Sequence, residues 1–80
     1  MSYFVYILEC SDKSLYTGIT TDLEKRVAEH NNSPKGAKYT KARRPVKLLY
    51  SESSENRSTA SKREYAIKKL TRLQKLDLMK

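Results

Sequence analysis

The sequence predicts a small α/β sandwich in the element order β-β-α-β-α-α, built as one domain over residues 1–80. Three observations carry that prediction. Residues 3–10, Tyr-Phe-Val-Tyr-Ile-Leu-Glu-Cys, are rich in aromatic and β-branched types and read as a strand apolar on both faces. A turn signal, Ser11-Asp12-Lys13-Ser14, separates them by a short gap from a second β-rich segment, which implies an antiparallel hairpin. Thr21-x-x-Glu24 and Thr71-x-x-Gln74 have the form of capping boxes, each placed before apolar residues at helical spacing.

The elements follow in order. Leu15-Tyr16-Thr17-Gly18-Ile19 forms the second strand. The first helix opens at Thr21 and runs to Asn31 or Asn32, with Leu23, Val27 and Ala28 on its apolar stripe, and Asn31 to Gly36 ends it. Residues 33–44 form a polar, basic loop without an acidic residue. Val46 to Ser51 is the third strand, with Pro45 suited to its start. A second helix begins near Ser58 and carries Ala60, Ile67 and Leu70 on one face. Thr71 opens a last short helix that carries Leu73 and Leu76, with Leu78 or Met79 beside them.

Composition narrows the class. A chain of 80 residues, 38% of them hydrophobic, has material for one modest core, since a domain of this size buries only about 60% of the surface its unfolded form exposes. The longest apolar stretch is Phe4 to Leu8, far short of the ~20 residues that cross a bilayer, and no secretory leader is expected. Cys10 is the only cysteine, so an internal disulfide is impossible, a cysteine-based zinc site is disfavoured, and a reducing interior is the expected compartment. Seventeen Lys and Arg against nine Asp and Glu give a net charge of +8, which points first to nucleic acid and second to an anionic membrane surface.

That charge is concentrated. Six basic residues (Lys35, Lys38, Lys41, Arg43, Arg44, Lys47) stand between Glu29 and Glu52 with no acid among them. Seven more stand between Glu55 and Asp77, where Glu64 is the single acid. One such run is compatible with a solvated basic surface; two in one small domain favour phosphate-backbone contact, with Tyr39 placed to stack on a base or bond a phosphate.

Glu64 lies four residues after Ala60 and three before Ile67, on the stripe that faces the core. A carboxylate there must be partnered or it costs several kcal/mol. It can close a capping box with Ser61, pair with Lys68 one turn on, or hold a magnesium ion, which commonly binds one or two protein carboxylates with water and substrate phosphate completing its shell. Arg26 and His30, at i and i+4, share one edge of the first helix. They are either an ordinary basic edge or a guanidinium fork for phosphate beside a titratable imidazole. Tyr3, Tyr6 and Tyr16 are either core aromatics with wet hydroxyls or site residues. Hairpin register decides whether Tyr6 and Tyr16 can cooperate. A bulge in the turn, with Cys10 opposite Tyr16, puts both rings on one face, and that bulged register is the prediction.

Tyr6 in Phe4-Val5-Tyr6, Tyr16-Thr17-Gly18 ten residues on, Arg26-Val27-Ala28-Glu29-His30-Asn31 and an inward Glu64 together resemble the GIY-YIG nuclease superfamily, most closely its small stand-alone bacterial members, over roughly residues 3–76. The resemblance implies a three-stranded antiparallel sheet flanked by helices and a divalent-metal-dependent DNA endonuclease. Under it, Tyr6 and Tyr16 sit at the scissile phosphate, one of them helping to deprotonate the attacking water. Gly18 allows close backbone approach, Arg26 holds the phosphate, and His30 assists proton transfer. Glu64 holds one Mg²⁺ or Mn²⁺, and Tyr39 is a further site residue. Lys35, Lys38, Lys41, Arg43, Arg44 and Lys68 supply nucleic-acid contacts with Gly18 and Tyr39. One metal suits this chain, because a two-metal site needs several flanking carboxylates. The motifs depart from the family in reading Phe-Val-Tyr and Tyr-Thr-Gly, and no Asn follows Glu64. With no appended recognition domain, selection by nucleic-acid structure is expected over selection by sequence, in a repair or recombination setting. The implied partner is DNA, with RNA open, for a monomer that does not bind membranes and has room for an accessory protein, in the bacterial cytoplasm near the nucleoid. The competing readings are a catalytically silent nucleic-acid-binding module on the same fold and, more remotely, a basic component of a ribonucleoprotein.

Overall fold

The computed structural model describes residues 2–33 and 35–79, so the part given to Pro34 in ending the first helix lies outside the described residues. Strands β1 (Tyr3–Glu9), β2 (Leu15–Thr20) and β3 (Lys47–Ser54) form an antiparallel sheet in the order β2-β1-β3. The helices are α1 (Leu23–Asn32), α2 (Lys38–Lys41), α3 (Arg57–Lys68) and α4 (Arg72–Leu78). The order is thus the expected one with an extra four-residue helix inside the basic loop.

β1 reads as apolar on both faces because it is the central strand with a covered surface on each side. Val5 and Ile7 pack with Ala60 and Ile67 of α3, joined by Leu15, Ile19, Leu78 and Met79. Tyr6, Leu8 and Cys10 pack on the opposite face with Val46, joined by Tyr16, Leu23 and Val27. Alternation along the strand assigns successive residues to the two clusters. On α4, Leu73 is 76% exposed and Leu76 38%, so the inward part of that helix is its C-terminal end rather than the Leu73/Leu76 pair expected. The reason is geometric: a helix of two turns has room for only one contact patch, and Leu78 and Met79 take it.

Caps account for the helix starts. Thr71 forms the expected reciprocal box with Gln74. The α1 start is one residue later than Thr21 implied, because the Asp22 side chain accepts from Lys25 N at 3.1 Å. α3 starts from Asn56, whose carbonyl oxygen accepts from Thr59 N at 2.9 Å, which leaves Ser61 inside the helix and unable to form a cap with Glu64.

The hairpin places both tyrosines on one face, with Tyr16 opposite Leu8 and Gly18 opposite Tyr6. The partner differs by two residues from the expected Cys10, and a slip of two leaves the face unchanged. A three-residue loop sets this register. Cys10 N donates to Ser14 O and Lys13 N to Cys10 O, both at 2.9 Å, while Lys13 takes φ 71°. This is the turn-plus-bulge geometry of three-residue hairpin loops, tied down by Asp12, which accepts from Ser14 N at 3.0 Å.

Candidate active site

The site begins at Gly18. A Cβ there would lie 2.5 Å from the Tyr6 hydroxyl and 2.7 Å from Tyr6 Cζ. The ring of Tyr6 crosses the neighbouring strand through the space a side chain would fill. The group that approaches Gly18 is therefore Tyr6 itself and not a nucleic-acid backbone, which corrects the role expected of this glycine.

The Tyr6 hydroxyl lies 2.9 Å from His30 Nε2. His30, which the sequence places on one edge of the helix as either a surface or a site residue, is fully buried, because the segment carrying α2 folds back over this side of α1. Gly36 makes that approach possible: a Cβ on it would stand 2.7 Å from the Glu29 carbonyl oxygen and 2.9 Å from His30 Cα. His30 Nδ1 meets Thr40 Oγ1 at 2.7 Å, and Thr40 Oγ1 donates to the Ala37 carbonyl at 2.9 Å.

Tyr16 stands edge-on to His30, ring centroids 5.2 Å apart, and stacks with Tyr39 at 6.0 Å. Arg26 lies beside the Tyr6 hydroxyl, and its Nη1 donates to Glu29 Oε1 at 3.1 Å and to the Lys35 carbonyl at 3.0 Å. Glu64, its side chain 22% exposed, pairs with Lys68 at 3.3 Å, so the i+4 partner anticipated for it is present. Its charge also reaches Tyr6. Tyr6, Tyr16, Arg26, His30 and Glu64 thus share one locality at the β2 edge of the sheet. There a shallow cavity of about 250 Å³ is lined by Leu15, Tyr16, Thr17, Tyr39, Lys68 and Lys75.

The electrostatics follow from burial. Tyr6 is pushed up to about 12, chiefly by desolvation, with the Arg26 guanidinium opposing and Tyr16 and Glu64 adding to the rise. His30 is lowered to about 4, again chiefly by burial, with Arg26 and Arg44 reinforcing and Glu29 opposing. At neutral pH the phenol keeps its proton and the imidazole is neutral.

The basic residues divide into two sets. Lys35, Lys38, Lys41 and Lys68 are exposed, and Tyr39 offers 39% of its surface. Two arginines are committed inside the protein. Arg44 directs Nε to His30 O at 2.5 Å and Nη2 to Ser33 O at 2.5 Å and Glu29 O at 3.3 Å. His30 O is one of the last carbonyls of α1, and a planar guanidinium can bind it together with the Glu29 and Ser33 carbonyls, which also accept from Ser33 N and Gly36 N. Arg44 therefore caps the helix in place of the nucleic-acid contact expected of it. Arg43 lies 3.9 Å over the Tyr39 ring, donates to Tyr39 O, and pairs with Asp12 at 3.0 Å, an arrangement that fixes Tyr39. Sequence reasoning missed Thr40, for which nothing but its place beside Tyr39 was available. It also missed Lys75 and Arg72, which line an adjoining cavity with Ser14, Leu15 and Tyr39 and had shown only as members of a basic run.

As a divalent-metal site the donor set is spare. Among the described residues no three or more His, Cys, Asp or Glu side chains gather as a metal-ligating group, and Glu29 is tied to Arg26. The Glu64 carboxylate, partly exposed and paired only with a flexible lysine, fits one hydrated Mg²⁺, an ion that keeps several waters and needs only one or two protein carboxylates.

A three-stranded sheet with β1 and β2 tyrosines turned to one face, an Arg/His helix beside them and a helix-borne glutamate at the sheet edge is the arrangement that the resemblance to GIY-YIG nucleases implied. The GIY-YIG catalytic domain family matches residues 2–77, and the chain belongs to that family. It is 62% identical over 76 residues to UPF0213 protein CPE1444 of Clostridium perfringens, covering 95% of this chain and 81% of that protein. It is 57% identical over 79 residues to UPF0213 protein DP2720 of Desulfotalea psychrophila, covering 99% and 72%. Among solved structures, the UPF0213 protein BH0048 of Bacillus halodurans superposes with a TM-score of 0.61 at 45% identity, over 98% of this chain and 82% of that one. Protein EF2693 of E. faecalis does so with 0.64 at 44%, over 98% and 83%. No helix among the described residues is long and apolar enough to cross a membrane.

Proposed function

We propose that the protein is a divalent-metal-dependent endonuclease that hydrolyses DNA phosphodiester bonds and selects its substrate by nucleic-acid structure. The observation that supports this best is the Tyr6 hydroxyl. It is hydrogen-bonded to a buried neutral imidazole, flanked by a guanidinium, and within the field of a partly exposed carboxylate.

The chain's own groups support a simple proton path. Thr40 passes its one proton to the Ala37 carbonyl, so toward His30 it can only accept. His30 Nδ1 then carries the imidazole hydrogen, and Nε2 accepts from Tyr6. With its own proton directed inward and one lone pair facing Arg26, the Tyr6 oxygen keeps one lone pair for an attacking water. As it takes the water's proton it passes its own to Nε2, and the water oxygen bonds to phosphorus as the ester bond to the leaving oxygen breaks. The negative charge of a bound phosphate beside His30 raises the affinity of the imidazole for that proton, and Arg26 offsets charge on the phosphoryl oxygens. One Mg²⁺ or Mn²⁺ held by Glu64 would supply Lewis-acid stabilisation of the leaving oxygen. Tyr16 and Tyr39 offer an aromatic surface at the mouth, with Lys68 and Lys75 as backbone contacts. Lys35, Lys38 and Lys41 extend the exposed basic surface.

The test is cleavage of duplex, flap, junction and single-stranded DNA with Mg²⁺ or Mn²⁺, wild type beside Glu64→Gln. Metal-dependent cutting is expected in the wild type, with loss of at least ~100-fold in the variant and nucleic-acid binding retained. Binding without cleavage across the whole panel would leave only a binding module on this fold.

A further inference from the structure

We propose that Thr40 is a positioning residue, one that locks His30 in its Nδ1–H tautomer and so delivers Nε2 to the Tyr6 hydroxyl. The inference deepens the nuclease reading where it concerns chemistry, while the tautomer itself holds independently of any activity.

Hydrogen-bond polarity fixes the tautomer. Thr40 is fully buried, and its hydroxyl has two partners, the Ala37 carbonyl at 2.9 Å and His30 Nδ1 at 2.7 Å. A carbonyl can only accept, so the single hydroxyl proton is fixed toward Ala37 and the oxygen lone pair faces His30. A neutral imidazole has one N–H, and this partner assigns it to Nδ1. Nε2 is then an obligatory acceptor, 2.9 Å from a tyrosine hydroxyl that can donate. Were the hydrogen on Nε2 instead, Thr40 would have to donate to Nδ1 and give up its own bond to the Ala37 carbonyl, which also accepts from Thr40 N and Lys41 N at 3.1 Å; only Nδ1–H keeps both hydroxyl contacts. Tyr6 would also turn its own proton outward, toward the position of the water it is to deprotonate.

The remaining groups around His30 do not compete for its ring nitrogens. Tyr16 from β2 meets the ring edge-on, and Arg44 takes only the main-chain carbonyl of His30. Arg26 and Glu29 on α1 act through their charge, from side chains paired with each other. The inference also gives a role to α2, a single helical turn without a side-chain cap. Its first turn places the Ala37 carbonyl three residues before Thr40, where the Thr40 hydroxyl can reach it, and Gly36 lets this turn press on the α1 backbone.

The test uses the full chain with ¹⁵N-labelled histidine. His30 is the only histidine in the sequence, so long-range ¹H–¹⁵N correlations of one imidazole report the tautomer without ambiguity. The wild type is expected to show a protonated Nδ1 and an unprotonated Nε2 at pH 7. A protonated Nε2 in the wild type overturns the proposal before any variant is made. Thr40→Val, close in shape but without the oxygen, is expected to shift the population toward Nε2–H, and Thr40→Ser to restore the wild-type pattern. If Thr40→Val folds and keeps Nδ1–H, the assignment to Thr40 is wrong. If it fails to fold, the wild-type and Thr40→Ser spectra decide. On DNA with Mg²⁺, Thr40→Val is expected to cleave roughly tenfold or more slowly with an altered pH profile, and Thr40→Ser to recover most of the rate. Unchanged cleavage by a Thr40→Val protein of altered tautomer refutes the link to chemistry. A wild type that cuts nothing while showing the predicted tautomer refutes the nuclease reading and leaves the lock standing.

Discussion

Gly18→Ala is the substitution for which the structure gives the clearest magnitude. The added Cβ falls 2.5 Å from Tyr6 Oη, 2.7 Å from Cζ and 3.2 Å from Cε2, whereas ordinary contact begins at about 3.5 Å, so the ring must move by roughly 1 Å. An exposed side chain would do so at little cost. Tyr6 is 1% exposed, with its hydroxyl tied to a buried histidine at 2.9 Å. Overpacking at such a site costs about 1–3 kcal/mol, and stranding the buried His30 nitrogen costs about 1–3 more if the bond is lost. The two overlap, because one movement relieves the first by incurring the second, so a total of about 2–4 kcal/mol is expected. A chain of this length has about 4–12 kcal/mol of stability, so the variant should fold but melt roughly 10–25 °C lower. Urea unfolding followed by circular dichroism measures the change. The Cζ contact means that adding Tyr6→Phe should recover only part of it, since the ring still collides. The same displacement should slow cleavage by about 100-fold. A Gly18→Ala protein within about 0.5 kcal/mol of wild type would falsify the claim that Gly18 exists to admit the Tyr6 ring.

Three further outcomes follow from particular contacts. His30 is held near 4 in the folded protein against 6.5 in the open chain. Its depressed affinity therefore costs nothing above about pH 6.5 and removes about 3 kcal/mol of stability as the pH falls to about 4; urea titrations from pH 4 to 8 should show this slope, and His30→Gln should flatten it. Arg44→Ala should cost about 2–3 kcal/mol by removing the charged bonds to the His30 and Ser33 carbonyls, with Arg44→Lys restoring little because an ammonium lacks the planar fork. The Thr17 hydroxyl is buried with no hydrogen-bond partner among the described residues, so Thr17→Val should gain about 1 kcal/mol, and a loss in thermal melts would mean the hydroxyl has a partner.

Local signals in the sequence were legible where the physics is local. The Thr71 box and the two-faced apolar run of β1 needed only neighbours to read. Asp22 took the cap from Thr21 because the two candidates are adjacent and similar in strength, and one-residue shifts of this kind are outside the reach of pattern. The shared face of Tyr6 and Tyr16 could be stated as a condition, but its cause, a lysine in the left-handed region, leaves no compositional mark. The burial of His30 was invisible for a different reason. It depends on a basic, polar segment folding over α1, and the covering contacts are main-chain approach at Gly36 and one threonine hydroxyl, neither of which hydropathy detects. Charge patterning likewise marked Arg43 and Arg44 as free cations, although their guanidinium groups are satisfied by carbonyls and a carboxylate within the fold.

The two apolar clusters lie on opposite faces of one thin sheet, and the site takes residues from both. Tyr6, Tyr16, Arg26 and His30 belong to the side covered by α1, whereas Glu64 rides on α3, anchored through Ala60 and Ile67 on the other. The half that carries His30 and the half that carries Glu64 therefore need not lose order together. α4 makes its apolar contact through Leu78 and the following Met79, while Leu73 is exposed. A partial opening of the α3–α4 layer would carry Glu64 away from the tyrosines while the Tyr6–His30–Thr40 chain stayed intact, giving a compact protein with half a site. In this chain the integrity of the site depends on both layers at once, so global stability alone does not measure it.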